Sequence, residues 1–143
     1  MRPQIAELLA ARARAEAAES PEHQELVGLL IEWIEEESFK GHVYAKYPGY
    51  EQCDETEKGH IPDVEGYDES RQLWAFGEAK TEDDIDNEYS RDQFNNFSRL
   101  QMKDSGVSVP FYIAIPKGSE NTLTGVLKEL GLEAKLHVHW SAF

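Results

Sequence analysis

Apolar residues recur at helical spacing in three stretches of the chain. Between residues 21 and 38 they cover a broad face opposed mostly by glutamates, which predicts an amphipathic helix. Ser20 and Pro21 stand at its start, where serine as the N-cap and proline at the first helical position favour helix initiation. Aromatic spacing predicts a second helix at about residues 87–104, and a third is predicted from residues 119 to 130.

Strand patterns fill the intervals between these helices. Alternating or continuous apolar runs predict strands at residues 42–47, 61–67, 73–81, 109–115 and 136–140. Their order with the helices is α-β-β-β-α-β-α-β, preceded by a segment rich in the helix formers Ala, Glu and Arg. We therefore predict an α/β (α+β) domain over residues 21–143, with an N-terminal helical arm at residues 1–20.

The second and third predicted strands are close enough in sequence to form a hairpin. When residues 68 and 73 close it, Asp63 lies directly opposite Glu78, with Cβ atoms about 5 Å apart. Alternation along the strand places Lys80 on the same face as Glu78. The other face carries small residues against which a helix can pack closely: Val64, Ala75, Gly77 and Ala79.

Two carboxylates at this separation repel each other unless a proton or a cation lies between them. Hard oxygen ligands suit Mg²⁺ or Mn²⁺, which keep water and substrate oxygens in their remaining positions. A metal held by Asp63 and Glu78 would lower the pKa of a bound water and stabilise charge on a phosphoryl oxygen. Lys80 beside it can orient or deprotonate that water, or stabilise the transition state. These parts fit phosphodiester hydrolysis best.

The composition supplies a competing interpretation. The chain has 28 acidic residues, so acid–lysine spacings arise by chance, and a cross-strand Glu–Lys pair is commonly a solvated ion pair. The net charge of −14 also opposes binding to a phosphate backbone, unless charges segregate, metal ions offset them or a partner contributes basic surface. The residues alone therefore leave a catalytic centre and a surface ion pair both open.

Pro62-Asp63, followed on the next strand by Glu78-Ala79-Lys80, resembles the signature of the PD-(D/E)XK nuclease superfamily, which includes restriction endonucleases and archaeal Holliday-junction resolvases. The wider phrases at residues 60–64 and 77–81 are similar to those of a small bacterial subgroup. The resemblance implies a restriction-endonuclease-like αβββαβ core, with a mixed central sheet flanked by helices. It further implies a set of site residues: Asp63 and Glu78 as ligands of Mg²⁺ or Mn²⁺, the Ala79 carbonyl as another ligand, Lys80 as the catalytic lysine, and Gln93 as a catalytic glutamine on the following helix.

The superfamily often places a glutamate of the first helix near the metal, and three residues compete for that position here. Glu22 and Glu25 are the predicted metal ligands, whereas His23 is best aligned with the apolar stripe of the helix. If His23 occupies the position, the metal shell is altered or lacks the glutamate.

Other histidines and acids receive simpler interpretations. His60 is predicted by alternation on the strand face opposite Asp63, as a loop or strand-end residue rather than a substrate contact. His137 and His139 share a face of the last strand and are predicted to be exposed edge residues rather than a metal site. The acidic run at residues 82–86 is predicted to be a solvated loop. Four aromatic residues are assigned to the core: Trp33, Tyr89, Phe94 and Phe97.

The leading functional expectation is a divalent-metal-dependent nuclease acting on DNA.

Cys53 is the single cysteine, which excludes an intrachain disulfide, and no Cys/His cluster has zinc spacing. No signal-peptide pattern and no apolar stretch of about 20 residues occurs, so a cytoplasmic protein without a membrane span is expected.

Two other functions remain open at this point. One is a nuclease-like fold that is catalytically weak or inactive and serves as a binding or interaction module, with the N-terminal arm mediating homodimerisation or docking to a protein partner. The other is a metal-dependent hydrolase of small nucleotides, for which an acidic surface is no obstacle.

Overall fold

The computed structural model describes residues 20–37, 41–68, 73–102 and 105–143, and within these ranges the elements follow the predicted order. The predicted arm, apart from Ser20, and the hairpin turn at residues 69–72 lie outside the described residues. The elements are α1 (Pro21–Glu36), β1 (His42–Ala45), β2 (Val64–Asp68), β3 (Leu73–Ala79), a 3₁₀ helix (Glu82–Asp84), α2 (Glu88–Ser98), β4 (Phe111–Ile115), α3 (Glu120–Glu129) and β5 (Val138–Ala142).

The strands form one mixed sheet in the order β1-β2-β3-β4-β5. The first three strands are an antiparallel meander, whereas β4 pairs parallel with β3 and β5 pairs parallel with β4. A parallel pair requires a crossover connection, and α2 and α3 provide these two connections. The chain is therefore a mixed α and β fold, as predicted.

Helix α1 packs closely on one face of the sheet. Ser20 caps it by accepting a 3.1 Å hydrogen bond from the backbone N–H of His23, as the sequence predicts. A methyl group at Gly77 would lie 2.9 Å from side-chain carbons of both Leu30 and Ile34, so only glycine permits this approach. The prediction that a helix packs against the small-residue face of the hairpin is confirmed.

Helices α2 and α3 cover the opposite face. Along β4 the residues alternate between the two layers: Tyr112 and Ala114 pack with α1, whereas Phe111, Ile113 and Ile115 pack with α2 and α3. Phe94 and Phe97 of α2 are fully buried in this second core, as predicted. Trp33 packs only partly buried against the first core, with its ring 4.9 Å from that of Tyr112.

Several predicted boundaries are wrong; strand β2, for example, begins at Val64 rather than at residue 61. Helix α2 ends at Ser98 rather than near residue 104, because the following backbone turns back on itself. The N–H of Met102 donates to the Val107 carbonyl at 2.8 Å, and the N–H of Val109 donates to the Leu100 carbonyl at 2.9 Å. These bonds replace the last helical turn. The final strand also begins later than predicted, at Val138.

Among the described residues, no helix is both long enough and apolar enough to cross a membrane.

Candidate metal centre

The β2–β3 hairpin has the predicted register, which runs from Val64 opposite Gly77 to Asp68 opposite Leu73. Asp63 immediately precedes Val64, so it falls opposite Glu78 at the open end of the hairpin. There its backbone N–H donates a 3.0 Å hydrogen bond to Oε1 of Glu78. The two carboxylates are thus brought together by local pairing.

The Asp63 carboxylate is only 2% exposed and is held by several donors. Its Oδ2 accepts hydrogen bonds from the N–H of Ala79 at 2.9 Å and from Nε2 of His23 at 3.2 Å. Nζ of Lys46 lies 3.8 Å from Oδ1. Burial alone would raise the pKa of Asp63, but the hydrogen bond and charge of His23, with the two lysines Lys46 and Lys80, hold it below its usual value. Asp63 is therefore an anion at neutral pH.

Glu78 is equally buried but differs in its ionisation. Burial and repulsion by the Asp63 carboxylate raise the pKa of Glu78 to about 7, against the opposing effect of Lys80, whose Nζ lies 3.4 Å from Oε2. One of the two acids is thus charged and the other is close to half-protonated at neutral pH. A bound cation would favour the charged form of Glu78.

Lys80 is also buried, at 4% exposure, and its ammonium group is surrounded by acceptors. It donates a hydrogen bond to Oε1 of Gln93 and lies 3.7 Å from Oδ2 of Asp84. Burial lowers the pKa of Lys80, but Glu78 and Asp84 outweigh this effect and raise it above its usual value. Lys80 therefore stays protonated at neutral pH.

Gln93 is placed by the start of helix α2. Asn87 caps that helix, with its Oδ1 accepting a 2.7 Å hydrogen bond from the N–H of Ser90. Phe94, the next residue along α2, is fully buried in the second core, which fixes the rotation of the helix. Gln93 is 4% exposed and faces Lys80. The structure thus brings together four predicted site residues: Asp63, Glu78, Lys80 and Gln93.

The first helix presents His23 rather than a glutamate to this centre. His23 precedes Leu26 and Val27 by three and four residues, so it belongs to the stripe that packs on the sheet. Glu22 and Glu25, the two glutamates predicted as metal ligands, are exposed, and neither contacts Asp63. Burial lowers the pKa of His23, but the hydrogen bond and charge of Asp63 raise it above its usual value.

Lys46 is a site residue that the sequence reasoning missed. Ala45 of β1 pairs with Val64 of β2, so the next residue, Lys46, falls opposite Asp63. The Lys46 N–H also donates to the Asp63 carbonyl at 2.9 Å. Pairing β1 with β2 in this antiparallel register would have found it, but the long connection between the two strands conceals that register.

His60 lies on the other side of the sheet from the one predicted. Its Nε2 contacts Oδ2 of Asp92 at 2.7 Å, and its ring packs edge-on against Tyr89 and Phe97. Alternation failed because His60 precedes strand β2 and does not share its period. It is nonetheless a buried residue outside the strands, in keeping with its interpretation as a loop residue.

The two histidines of the C-terminal segment have separate partners. Nε2 of His137 donates to the Ser98 carbonyl at 2.6 Å, whereas the exposed ring of His139 stacks on Tyr112. Neither contact brings them into a common site.

The donor set at the hairpin fits a hard divalent cation in its chemistry. Asp63 and Glu78 supply two buried carboxylates, and Mg²⁺ is commonly bound by one or two carboxylates with water and substrate oxygens completing its shell. Among the described residues, no group of three or more His, Cys, Asp or Glu side chains is arranged to hold a metal ion. The protein would therefore contribute the two carboxylates, and the remaining ligands would come from the main chain, water or substrate.

Comparison with protein-family models, with curated proteins and with solved structures finds no match for this chain.

Proposed function

We propose that the chain is a divalent-metal-dependent nuclease of the PD-(D/E)XK superfamily, which hydrolyses phosphodiester bonds in DNA. The observation that carries the proposal is the hairpin register, which sets Asp63 beside Glu78 with the buried ammonium of Lys80 3.4 Å from Glu78. The αβββαβ order and the mixed sheet with helices on both faces support a restriction-endonuclease-like core.

Asp63 and Glu78 would hold the metal, with the Ala79 carbonyl as a further ligand by resemblance. When bound, the metal activates water and stabilises charge on a phosphoryl oxygen. Asp63 is a ready ligand because its pKa is low, whereas Glu78 releases its proton on binding a cation.

Lys80 acts as a fixed cation in this scheme. Its raised pKa makes it a poor base at neutral pH, so it stabilises the negative charge that develops on the phosphoryl oxygens rather than deprotonating water. Gln93 orients the lysine by accepting its hydrogen bond, and Asp84 holds it from the other side. Lys80 is therefore a candidate catalytic residue, and Gln93 is a positioning residue.

Nicking of supercoiled plasmid DNA in Mg²⁺ or Mn²⁺ tests the proposal. The wild type should nick the plasmid, and Asp63→Asn and Lys80→Met should each abolish nicking while leaving the thermal melt cooperative. Glu51→Gln, an exposed acid outside the centre, should keep full activity. Activity that survives both centre substitutions would overturn the assignment.

The alternative is a nuclease-like domain that binds a partner and does not cleave. It is favoured by the acidic chain, with its net charge of −14, and by the engagement of Asp63 Oδ2 with His23 and Ala79. A wild-type protein that binds neither Mn²⁺ nor DNA would support this alternative.

A further inference from the structure

An open groove of about 850 Å³ lies beside the candidate metal centre. Its sheet side is formed by the cross-strand pair Glu65 and Phe76. These residues are two positions along their strands from Asp63 and Glu78, so they share the face on which the centre lies. The groove therefore continues the same surface of the sheet.

Two walls flank this pair. One wall is the loop at residues 54–58, and the other is the second half of α2 with residues 99–101. The hydroxyl of Thr56 donates a 2.7 Å hydrogen bond to Oδ1 of Asn96 and so joins the loop to the helix. This hydrogen bond fixes the loop against the helix, so the fold holds both walls of the groove in place.

The net charge of the groove lining disfavours a phosphate backbone. The lining contains cationic residues at Lys58 and Arg99, whereas its acidic residues are more numerous: Asp54, Glu55, Glu57, Glu65 and Asp92. A phosphodiester entering this groove would be repelled at close range. A cationic group would be attracted.

Two lining residues carry buried groups that accept hydrogen bonds. Glu65 is only 6% exposed, and a carboxylate can accept several bonds at once. Oδ1 of Asn95 is buried, and no described residue donates to it. Phe76, the cross-strand partner of Glu65, is half-buried and offers an aromatic ring. A planar cation with several N–H donors suits a lining that offers a carboxylate and an aromatic ring, since guanidinium groups stack on aromatic rings and bond to carboxylates in a fork.

We propose that this groove binds an arginine-bearing segment of a basic partner protein. The inference goes beyond the proposed nuclease function and does not depend on it, because the groove contains neither Asp63 nor Glu78. It also has a consequence for that function. A basic partner seated next to the centre would bring positive surface to a chain of net charge −14, which DNA would otherwise avoid.

Fluorescence anisotropy with short labelled peptides tests the proposal in EDTA, so that metal binding plays no part. The probe is a glycine heptapeptide with two arginines, compared with versions that carry two lysines or two glutamines. We expect the arginine peptide to bind, the lysine peptide to bind at least about threefold more weakly, and the glutamine peptide not to bind. Equal binding of the arginine and lysine peptides would overturn the guanidinium assignment.

Substitutions then locate the binding site. Glu65→Gln should weaken binding of the arginine peptide at least about tenfold, since a charge-assisted bond is lost. Glu36→Gln removes the same charge from an exposed position on α1 and should leave binding unchanged. Equal weakening by both variants would mean general attraction to an acidic protein and would overturn the proposal.

A variant that binds the arginine peptide more tightly tests the same surface without altering a buried residue. Arg99 is exposed and lines the groove, so Arg99→Ala removes a competing cation and should tighten peptide binding by about twofold or more. Lys128→Ala makes the same change at an exposed position on α3 and should have no effect. Direct binding of a labelled single-stranded oligonucleotide to the wild type in EDTA, weakened by Arg99→Ala, would assign the groove to nucleic acid and overturn the proposal.

Discussion

Glu78 and Asp63 are linked asymmetrically: the backbone N–H of Asp63 donates to Oε1 of Glu78, and the Asp63 carboxylate accepts from the N–H of Ala79. Each carboxylate therefore accepts from a backbone N–H of the opposite strand, Glu78 from Asp63 itself and Asp63 from Ala79, the residue after Glu78. This arrangement keeps two buried carboxylates side by side, with Asp63 charged and the pKa of Glu78 raised to about 7.

The ionisation of Glu78 predicts how stability depends on pH in the metal-free protein. The folded state retains the Glu78 proton to a higher pH than the unfolded state, so this group reduces stability as pH rises from about 4.5 to about 7. Glu78→Gln should therefore stabilise the protein at pH 8 by about 2 kcal/mol and change little at pH 4.5. Urea unfolding at both pH values in EDTA measures this difference, and destabilisation at pH 8 would refute it. Glu36→Gln is the matched control and should shift neither value.

His23 should report the charge of Asp63. Burial alone lowers the pKa of His23, and Asp63 supplies the largest opposing effects. Asp63→Asn should therefore lower the pKa of His23, as measured by an NMR titration of its ring protons. Glu51→Gln, which removes an exposed acid, should leave that titration in place. An unchanged His23 titration in Asp63→Asn would contradict the contact.

Adding a side chain at Gly77 should lower the stability of the fold. A Cβ at this position lies 2.9 Å from Leu30 and Ile34, so Gly77→Ala should destabilise the fold by about 1–3 kcal/mol through overpacking beneath α1. Gly125 is exposed in α3 with no neighbouring atom within 4 Å of such a group. Gly125→Ala should instead stabilise by about 0.5–1 kcal/mol. Thermal or urea unfolding checks both, and similar effects at the two glycines would refute the close packing.

Gln93 should contribute to both the stability of the fold and the nicking activity. It accepts the hydrogen bond of Lys80, so Gln93→Leu leaves a buried ammonium with one acceptor fewer and should cost about 1–3 kcal/mol of stability. Plasmid nicking should fall with it, because the lysine is no longer oriented. Gln52→Leu, at an exposed loop position, should alter neither stability nor nicking. Full activity in Gln93→Leu would remove its positioning role.

The hairpin could be predicted because its determinants are local. Period-2 alternation and a short turn set the register, and that register alone places Asp63, Glu78 and Lys80 on one face. The face of the sheet that α1 covers could also be predicted, because small residues along one side of a strand leave room for a helix.

The remaining features depend on tertiary packing. Helical periodicity aligns His23 with the apolar stripe of α1, but the approach of His23 to Asp63 depends on how α1 packs on the sheet, where Leu30 and Ile34 lie against Gly77. The position of Lys46 depends on pairing across a long connection. No local pattern in the sequence determines that position.

Calorimetric titration with Mn²⁺ tests the central claim most directly, since it asks whether Asp63 and Glu78 form a metal site without requiring cleavage. We predict saturable binding of Mn²⁺ to the wild type, loss of that signal in Asp63→Asn, and its retention in Lys80→Met, which should bind the metal but fail to nick DNA. A wild-type titration without saturable heat, or one that Asp63→Asn leaves unchanged, would contradict the assignment of this hairpin as a metal centre.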